Sequence, residues 1–335
     1  MRKLKRRIRV KKLIKATIAV IVIFGLLVYL NNASFLARPI DDRPVLAAHR
    51  GLSQDYSREG LNNETCTAAQ MLPTPHDYLE NTIPSMQAAF AAGADLVEFD
   101  VHRTTDDYFA VFHDWTVDCR TNGTGVTREH SLASLQSLDI GYGYTSDGGK
   151  TYPFRGKGVG MMPSLAEVLD TFPDRNLIID VKSRDRSEGE LLADRLAALP
   201  PQRQARIMVY GGDRPVSVIR EQLPEVKTIW LRRLKHCLTR YIALGWTGYV
   251  PNTCDRSMLL IPVNYARLMW GWPNRFLQRM KKVDTQVFLV GDYRGEGFSQ
   301  GFDQPDRLKD LPANYAGGIW TDRIDLIAPA IKETG

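Results

Sequence analysis

The sequence predicts an α/β fold, a (β/α)8 TIM-type barrel preceded by a single N-terminal transmembrane helix. Short runs rich in Val, Ile and Leu recur between segments of helical composition, the pattern of a parallel sheet. About 295 residues follow the first apolar stretch, enough for one barrel of ~250 residues with insertions. Ionisable residues gather where several of the apolar runs end, as a barrel with its chemistry at the C-terminal rim requires.

The N-terminal end stands apart. Nine of the first fifteen residues are Lys or Arg and none is acidic. From Ala16 to Leu30 the run ATIAVIVIFGLLVYL carries no charge, and with Leu13 and Ile14 it approaches the ~20 residues that span a bilayer. A cleaved signal peptide is the alternative, but NNASFLARP offers no small-residue cleavage pattern. The expected organisation is a basic cytoplasmic segment (1–15), an anchor (13–32), a linker (33–44) and an extracytoplasmic domain (45–335), periplasmic if the cell is Gram-negative. Setting the nine cations aside turns the formal charge of +6 into 35 basic against 38 acidic side chains. Nucleic-acid binding therefore loses its electrostatic basis.

The elements follow in order. VLAAH (45–49) is a first strand, and a loop containing Gly, Asn, Ser and Pro runs from Gly51 to about Leu79. IPSMQAAFAAG (83–93) has helix composition and a glycine stop. LVEFDV (96–101) and FAVFH (109–113) read as the second and third strands. An insertion at about 115–162, rich in Gly, Thr and Tyr, holds a short helix at SLASLQSL. PSLAEVLDTF (163–172) is a helix with Ser164 as cap and Glu167 three positions on. LIIDVK (177–182) is the fourth strand. Helix GELLADRLAAL, strand RIMVY (206–210), helix PVSVIREQL, strand TIWL (228–231) and helix LTRYIALG come next. The strand candidate GYVPNT (248–253), helix RFLQRMKK, strands VFLV (287–290) and GIWT (318–321), and helix IDLIAPAIKE complete the chain. Nine strand candidates exceed the eight of a barrel, and GYVPNT is the weakest.

Four cysteines, Cys66, Cys119, Cys237 and Cys254, lie in the exported part, where oxidation is permitted. No C-x-x-C occurs, which argues against zinc. The preferred pairing is Cys66 with Cys119 and Cys237 with Cys254; the other two connectivities and free thiols stay open.

The chemistry begins at DLVEFDVH (95–102). In a strand, Glu98 and Asp100 point to one side with Leu96 and His102. Two adjacent carboxylates suit a hard divalent ion, Ca2+ or Mg2+, and Asp180 at the end of the fourth strand offers a third oxygen ligand. The competing reading pairs them with Arg50, Lys182 or Arg103 in a structural network. His49 ends the first strand and His113 the third, so an acid and a base are available near neutral pH. His76, His102, His130 and His236 are less suitably placed for catalysis.

HRG (49–51), ENT (80–82), EFD (98–100), VFHD (111–114), RTNGTG (120–125) and PSLAEVL (163–169), with IDVK and the late TDR (321–323), together resemble the glycerophosphodiester phosphodiesterase family. The resemblance implies a metal-dependent phosphodiesterase releasing glycerol 3-phosphate and an alcohol. It assigns His49 and His113 as the acid/base pair, Glu98 and Asp100 as metal ligands, Arg50 and Lys182 as phosphate holders, and Glu80 as a ligand or partner of Arg50. The chain departs from the family in having Asp180 where Glu is usual, VFLVGD in place of a WTVN-like strand, and a longer loop from Gly51 to Glu80. A lysophospholipase D acting on membrane lipid and a non-catalytic envelope lipid-binding barrel are the alternatives. NYARLMWGWPNRF (264–276) bears on them, since Trp270, Trp272 and Phe276 are either barrel packing or a lip at the membrane interface.

Overall fold

The computed structural model describes residues 2–41, 43–61, 65–295, 300–313 and 315–334, with the backbone alone at 2–6 and 334. Residues 62–64 of the long loop, the side chains of the earliest basic residues and the last residue of the predicted domain lie outside that description.

Nine strands form: β1 (Val45–His49), β2 (Leu96–Arg103), β3 (Phe109–Val111), β4 (Asn176–Val181), β5 (Ile207–Gly211), β6 (Lys227–Trp230), β7 (Ser257–Pro262), β8 (Thr285–Val290) and β9 (Gly318–Thr321). Eight are parallel neighbours in the order β6-β5-β4-β2-β1-β9-β8-β7. At the seam the Thr228 N–H donates to Arg256 O at 3.2 Å and Ser257 Oγ to Thr228 O at 2.8 Å, so β6 and β7 nearly close a TIM-type barrel. Apolar side chains on both faces explain why the strands are buried on both sides; Phe99, Ile179, Val209, Leu259, Phe288 and Ile319 belong to one continuous core.

Two strand expectations change. GYVPNT is not a strand; it follows the 3-10 turn Gly245–Thr247, and its last two residues open another, Asn252–Cys254. The stave at that place is β7, SMLLIP, whose Met and Leu content gives no more strand signal than helix signal. FAVFH is not a stave. Its β3 pairs antiparallel with β2, Val101 opposite Val111, because the five residues between them are too few for a parallel crossover of a dozen or more. His113 therefore does not end a barrel strand; it follows a hairpin that folds back over the rim.

The helix boundaries follow local chemistry. Thr82 caps Ile83–Ala92 in a capping box with Ser85, and Gly93 ends that helix at φ 117°. Ser164 and Glu167 form the expected capping box. The insertion after β3 builds a second, smaller core around Phe112, Leu135, Tyr144, Phe154 and Met162, which also takes Ala68 and Met71 from the long loop. The Cys66–Cys119 disulfide joins those two excursions, and Cys237–Cys254 ties the helix Leu231–Leu244 to the turn before β7. Both expected pairings are thus present. The helix Arg2–Asn32 stands outside the barrel, and its Arg7–Asn32 portion is long and apolar enough to cross a membrane.

Candidate active site

The turn after β1 creates the site's first corner. Arg50 has φ 59° and Gly51 φ 82°, and a Cβ on Gly51 would lie 2.5 Å from Ser85 Oγ. The chain reverses there only because position 51 is glycine. The turn lets the Arg50 N–H donate to Glu98 Oε2 at 3.1 Å and brings its guanidinium over the rim, Nη1 to Glu80 Oε1 at 3.1 Å and Nε to Asp100 Oδ2 at 3.3 Å.

β2 supplies the centre. Glu98 and Asp100 are buried and point into the barrel rim, where Asp180 of β4 lies in register with Asp100. One ligand atom from each of these three carboxylates lies within 4.8 Å of the others. Tyr210 of β5 donates its hydroxyl to Glu98 Oε1 at 2.7 Å. Asn81, at φ 60°, donates to Asp100 Oδ2 at 2.8 Å and accepts from the Asp100 N–H at 3.0 Å. Lys182 Nζ reaches Asp180 Oδ2 at 3.0 Å and Asp100 Oδ1 at 3.3 Å.

The charges are unevenly matched. Burial and the neighbouring Asp100 push Glu98 up to about 8. Burial also raises Asp180, whereas at Asp100 burial is outweighed by Lys182 and Arg50, which hold it low. Asp100 Oδ1 is buried and takes no well-formed hydrogen bond, only the ion pair with Lys182. An oxygen-only donor set with one acid kept protonated for want of positive charge fits a hard divalent cation. Arg50 and Lys182 touch the same carboxylates, so the metal-ligand and ion-pair readings of the sequence meet in one cluster. Arg103 does not join it; its guanidinium lies on Asp107 and Ser187.

Each histidine at the rim has one ring nitrogen held. His49 Nδ1 lies against Asp322, just after β9, while its Nε2 faces Glu98 Oε2 at 3.8 Å. Burial and Arg50 lower the His49 pKa, but Glu98 and Asp322 outweigh them and raise it. His113 Nδ1 lies 2.7 Å from Asp114 Oδ1. Burial, then Arg50 and Lys182, bring His113 down to about 4, so it is neutral at pH 7. Arg120 locks Asp114 through Nε at 2.8 Å and also reaches Glu80 Oε2 at 3.2 Å. Glu80 is thereby held between two arginines and lies outside the three-carboxylate group.

Of the other histidines, His102 is buried with Nε2 3.3 Å from His113 O, and His76 and His130 bond within loops. Sequence reasoning gave no role to Tyr210, Asn81, Arg120 or Asp322. Asp322 had a signal, since it follows a barrel strand within the TDR motif; Tyr210 had the same positional signal but reads as a core aromatic.

Residues 49–198 match the model of the Glycerophosphoryl diester phosphodiesterase family. The chain is 38% identical over 114 residues to the glycerophosphodiester phosphodiesterase of Bacillus subtilis, which is 33% of this chain and 38% of that protein. It is 35% identical over 103 residues to that of Caldanaerobacter subterraneus, 31% of this chain and 39% of the relative. The chain thus spans about two-fifths of the length of these curated relatives. Its fold is that of the Mycobacterium tuberculosis glycerophosphoryl diester phosphodiesterase domain, with TM-score 0.61, 16% identity and coverage of 88% of this chain and 100% of that one. An Oleispira antarctica phosphodiesterase in complex with the product sn-glycerol-3-phosphate has the same fold, with TM-score 0.53, 17% identity and coverage of 87% and 97%.

Proposed function

We propose that the chain is a member of the glycerophosphoryl diester phosphodiesterase family, whose model residues 49–198 match, and that it hydrolyses glycerophosphodiesters to glycerol 3-phosphate and an alcohol. The observation that carries the reading is the pair of imidazoles, each with Nδ1 against a carboxylate, beside the Glu98, Asp100 and Asp180 cluster. Fixing Nδ1 leaves Nε2 of His49 and of His113 free to exchange a proton with substrate. One removes the proton of the attacking hydroxyl, from the adjacent glycerol or water, and the other gives a proton to the departing alcohol as its P–O bond breaks.

Glu98, Asp100 and Asp180 would hold the divalent cation, Ca2+ or Mg2+, which when bound supplies positive charge for the phosphoryl oxygens. Arg50 and Lys182 add charge from the rim, each poised to exchange a carboxylate contact for a phosphate oxygen. Glu80 and Arg120 act as positioning residues, for Arg50 and for Asp114. The helix Arg7–Asn32 anchors the protein in one pass, with the basic segment in the cytoplasm and the barrel outside.

The test uses the full chain in detergent or nanodiscs. Glycerol 3-phosphate should be released from glycerophosphocholine, lost after chelation and restored by Ca2+ or Mg2+. Choline release from lysophosphatidylcholine without glycerol 3-phosphate release would make it a lysophospholipase D. Turnover of neither, over a panel of diesters, would leave the lipid-binding barrel.

A further inference from the structure

We propose that the flank of the barrel formed by the helices Leu231–Leu244 and Asn274–Lys282, with the segment between them, rests on an anionic bilayer surface. The inference depends on the anchor and not on the hydrolytic chemistry.

The first observation is charge. Residues 231–282 contain ten Lys or Arg and a single acid, Asp255, although the chain beyond its first fifteen residues carries a small net negative charge. This segment therefore carries a net positive charge, whereas the rest of the exported part is net negative. Lys235, Arg240, Arg267 and Lys282 are exposed there, and none has an ion pair among the described residues. Basic clusters next to a membrane span are drawn to anionic headgroups.

The second observation is the way the anchor ends. Arg279 is buried; it donates from Nη2 to Asn31 O and from Nη1 to Asn32 Oδ1, both at 2.9 Å, and from Nη1 to Gly245 O at 3.0 Å. Asn31 and Asn32 in turn donate to Trp246 O at 3.1 and 2.8 Å. Phe24 meets the Trp246 ring at 5.8 Å, eight residues before the helix ends, which at 1.5 Å per residue is about 12 Å along its axis. The barrel thus lies alongside the last turns of the span. Trp270, bonded through its ring N–H to Ile242 O, and Leu268 are exposed on the same flank, and tryptophan favours the interfacial zone.

The third observation is position. Around the barrel β7, at the middle of this flank, lies four places from β2, so the catalytic carboxylates occupy the opposite arc. The resting surface leaves those strands on the water side, which suits a soluble diester.

The experiment uses the full chain in nanodiscs of phosphatidylcholine and phosphatidylglycerol whose acyl chains are brominated near the headgroup, with tryptophan quenching as the readout. Trp270→Phe should remove part of the quenched emission and Trp115→Phe none, since Trp115 lies beside His102 on the far arc. Combining Lys235→Glu, Arg240→Glu, Arg267→Glu and Lys282→Glu should abolish the Trp270 contribution and the extra quenching that phosphatidylglycerol gives. Quenching that survives Trp270→Phe unchanged but falls with Trp115→Phe would overturn the proposal while leaving the anchor intact. No quenching at any tryptophan would remove anchor and proposal together. The readout needs no turnover, so failure of the phosphodiesterase reading would show separately, as inactive protein with the quenching pattern in place.

Discussion

The arc of β1, β2 and β4 and the arc of β6, β7 and β8 share one barrel and one core, yet they use buried polar groups in opposite ways. On the first arc, Glu98, Asp100 and Asp180 crowd together, and burial with Asp100 keeps Glu98 up at about 8. On the second, the buried Arg279 is satisfied by Tyr241 Oη, Gly245 O, Asn31 O and Asn32 Oδ1, all neutral. A cluster of like charges is costly in a low-dielectric interior and is kept where a ligand can relieve it. A cation surrounded by neutral acceptors joins the barrel to the end of the long helix. On the proposed function, the difference separates the part of the molecule that would do chemistry from the part that would hold it in place.

Changes on the catalytic arc should have the largest effect on turnover and little on folding. His49→Ala or His113→Ala is expected to lower kcat by about 10²–10⁴-fold with an unchanged circular dichroism spectrum. Retained activity in both would break the acid/base assignment. The disulfides sharpen the contrast, since there is one on each side. By loop-closure entropy, removing Cys66–Cys119, 53 residues apart, should cost about 4 kcal/mol, and Cys237–Cys254, 17 apart, about 3 kcal/mol. Only the first should also reduce kcat, because it holds Arg120 beside Thr67, and Arg120 fixes Asp114. Equal effects on kcat would erase the distinction.

Arg279→Met should destabilise the chain by ~1–3 kcal/mol for each buried acceptor left without a donor, visible as a lower Tm, while kcat is retained. The smallest effect concerns pH. Burial lowers His102 to about 4, so between pH 6.5 and 4 the unfolded chain binds a proton that the folded chain does not. Stability therefore falls as pH drops through 6.5, on the order of 2 kcal/mol by pH 5 from this group. His102→Gln should show a smaller loss of Tm between pH 7 and pH 5 than the parent; an identical loss would assign the acid sensitivity elsewhere.

Much of the catalytic arc was legible because its strands are buried on both faces. VLAAH, LVEFDV and LIIDVK are apolar runs in which a carboxylate or imidazole is conspicuous, and the rule that chemistry gathers at C-terminal strand ends then selects His49, Glu98, Asp100, Asp180 and Lys182. The opposite arc was harder to read. SMLLIP has one β-branched residue and leads directly into a short helix, so its composition does not distinguish β7 from helix and GYVPNT is the more strand-like segment. NYARLMWGWPNRF divides between both of its readings: Phe276 is buried and Trp272 packs on it and on Tyr315, while Trp270 is exposed. The charge segregation over residues 231–282 was present in the sequence but hidden in the whole-chain balance.

By itself the sequence determined the alternation of strands and helices, the apolar N-terminal stretch and the identity of most rim residues, because these depend on periodicity, composition and position along one strand. Only the tertiary structure decided that β3 folds back as a hairpin, that Asp322 reaches His49, that Tyr210 and Asn81 hold the carboxylates, and that Arg279 grips the end of the long helix. Each of these joins residues far apart in the chain or depends on a turn's direction. Such contacts are selected by closure of the barrel, where the burial of polar groups leaves few partners within reach, and no local pattern records which partner that will be.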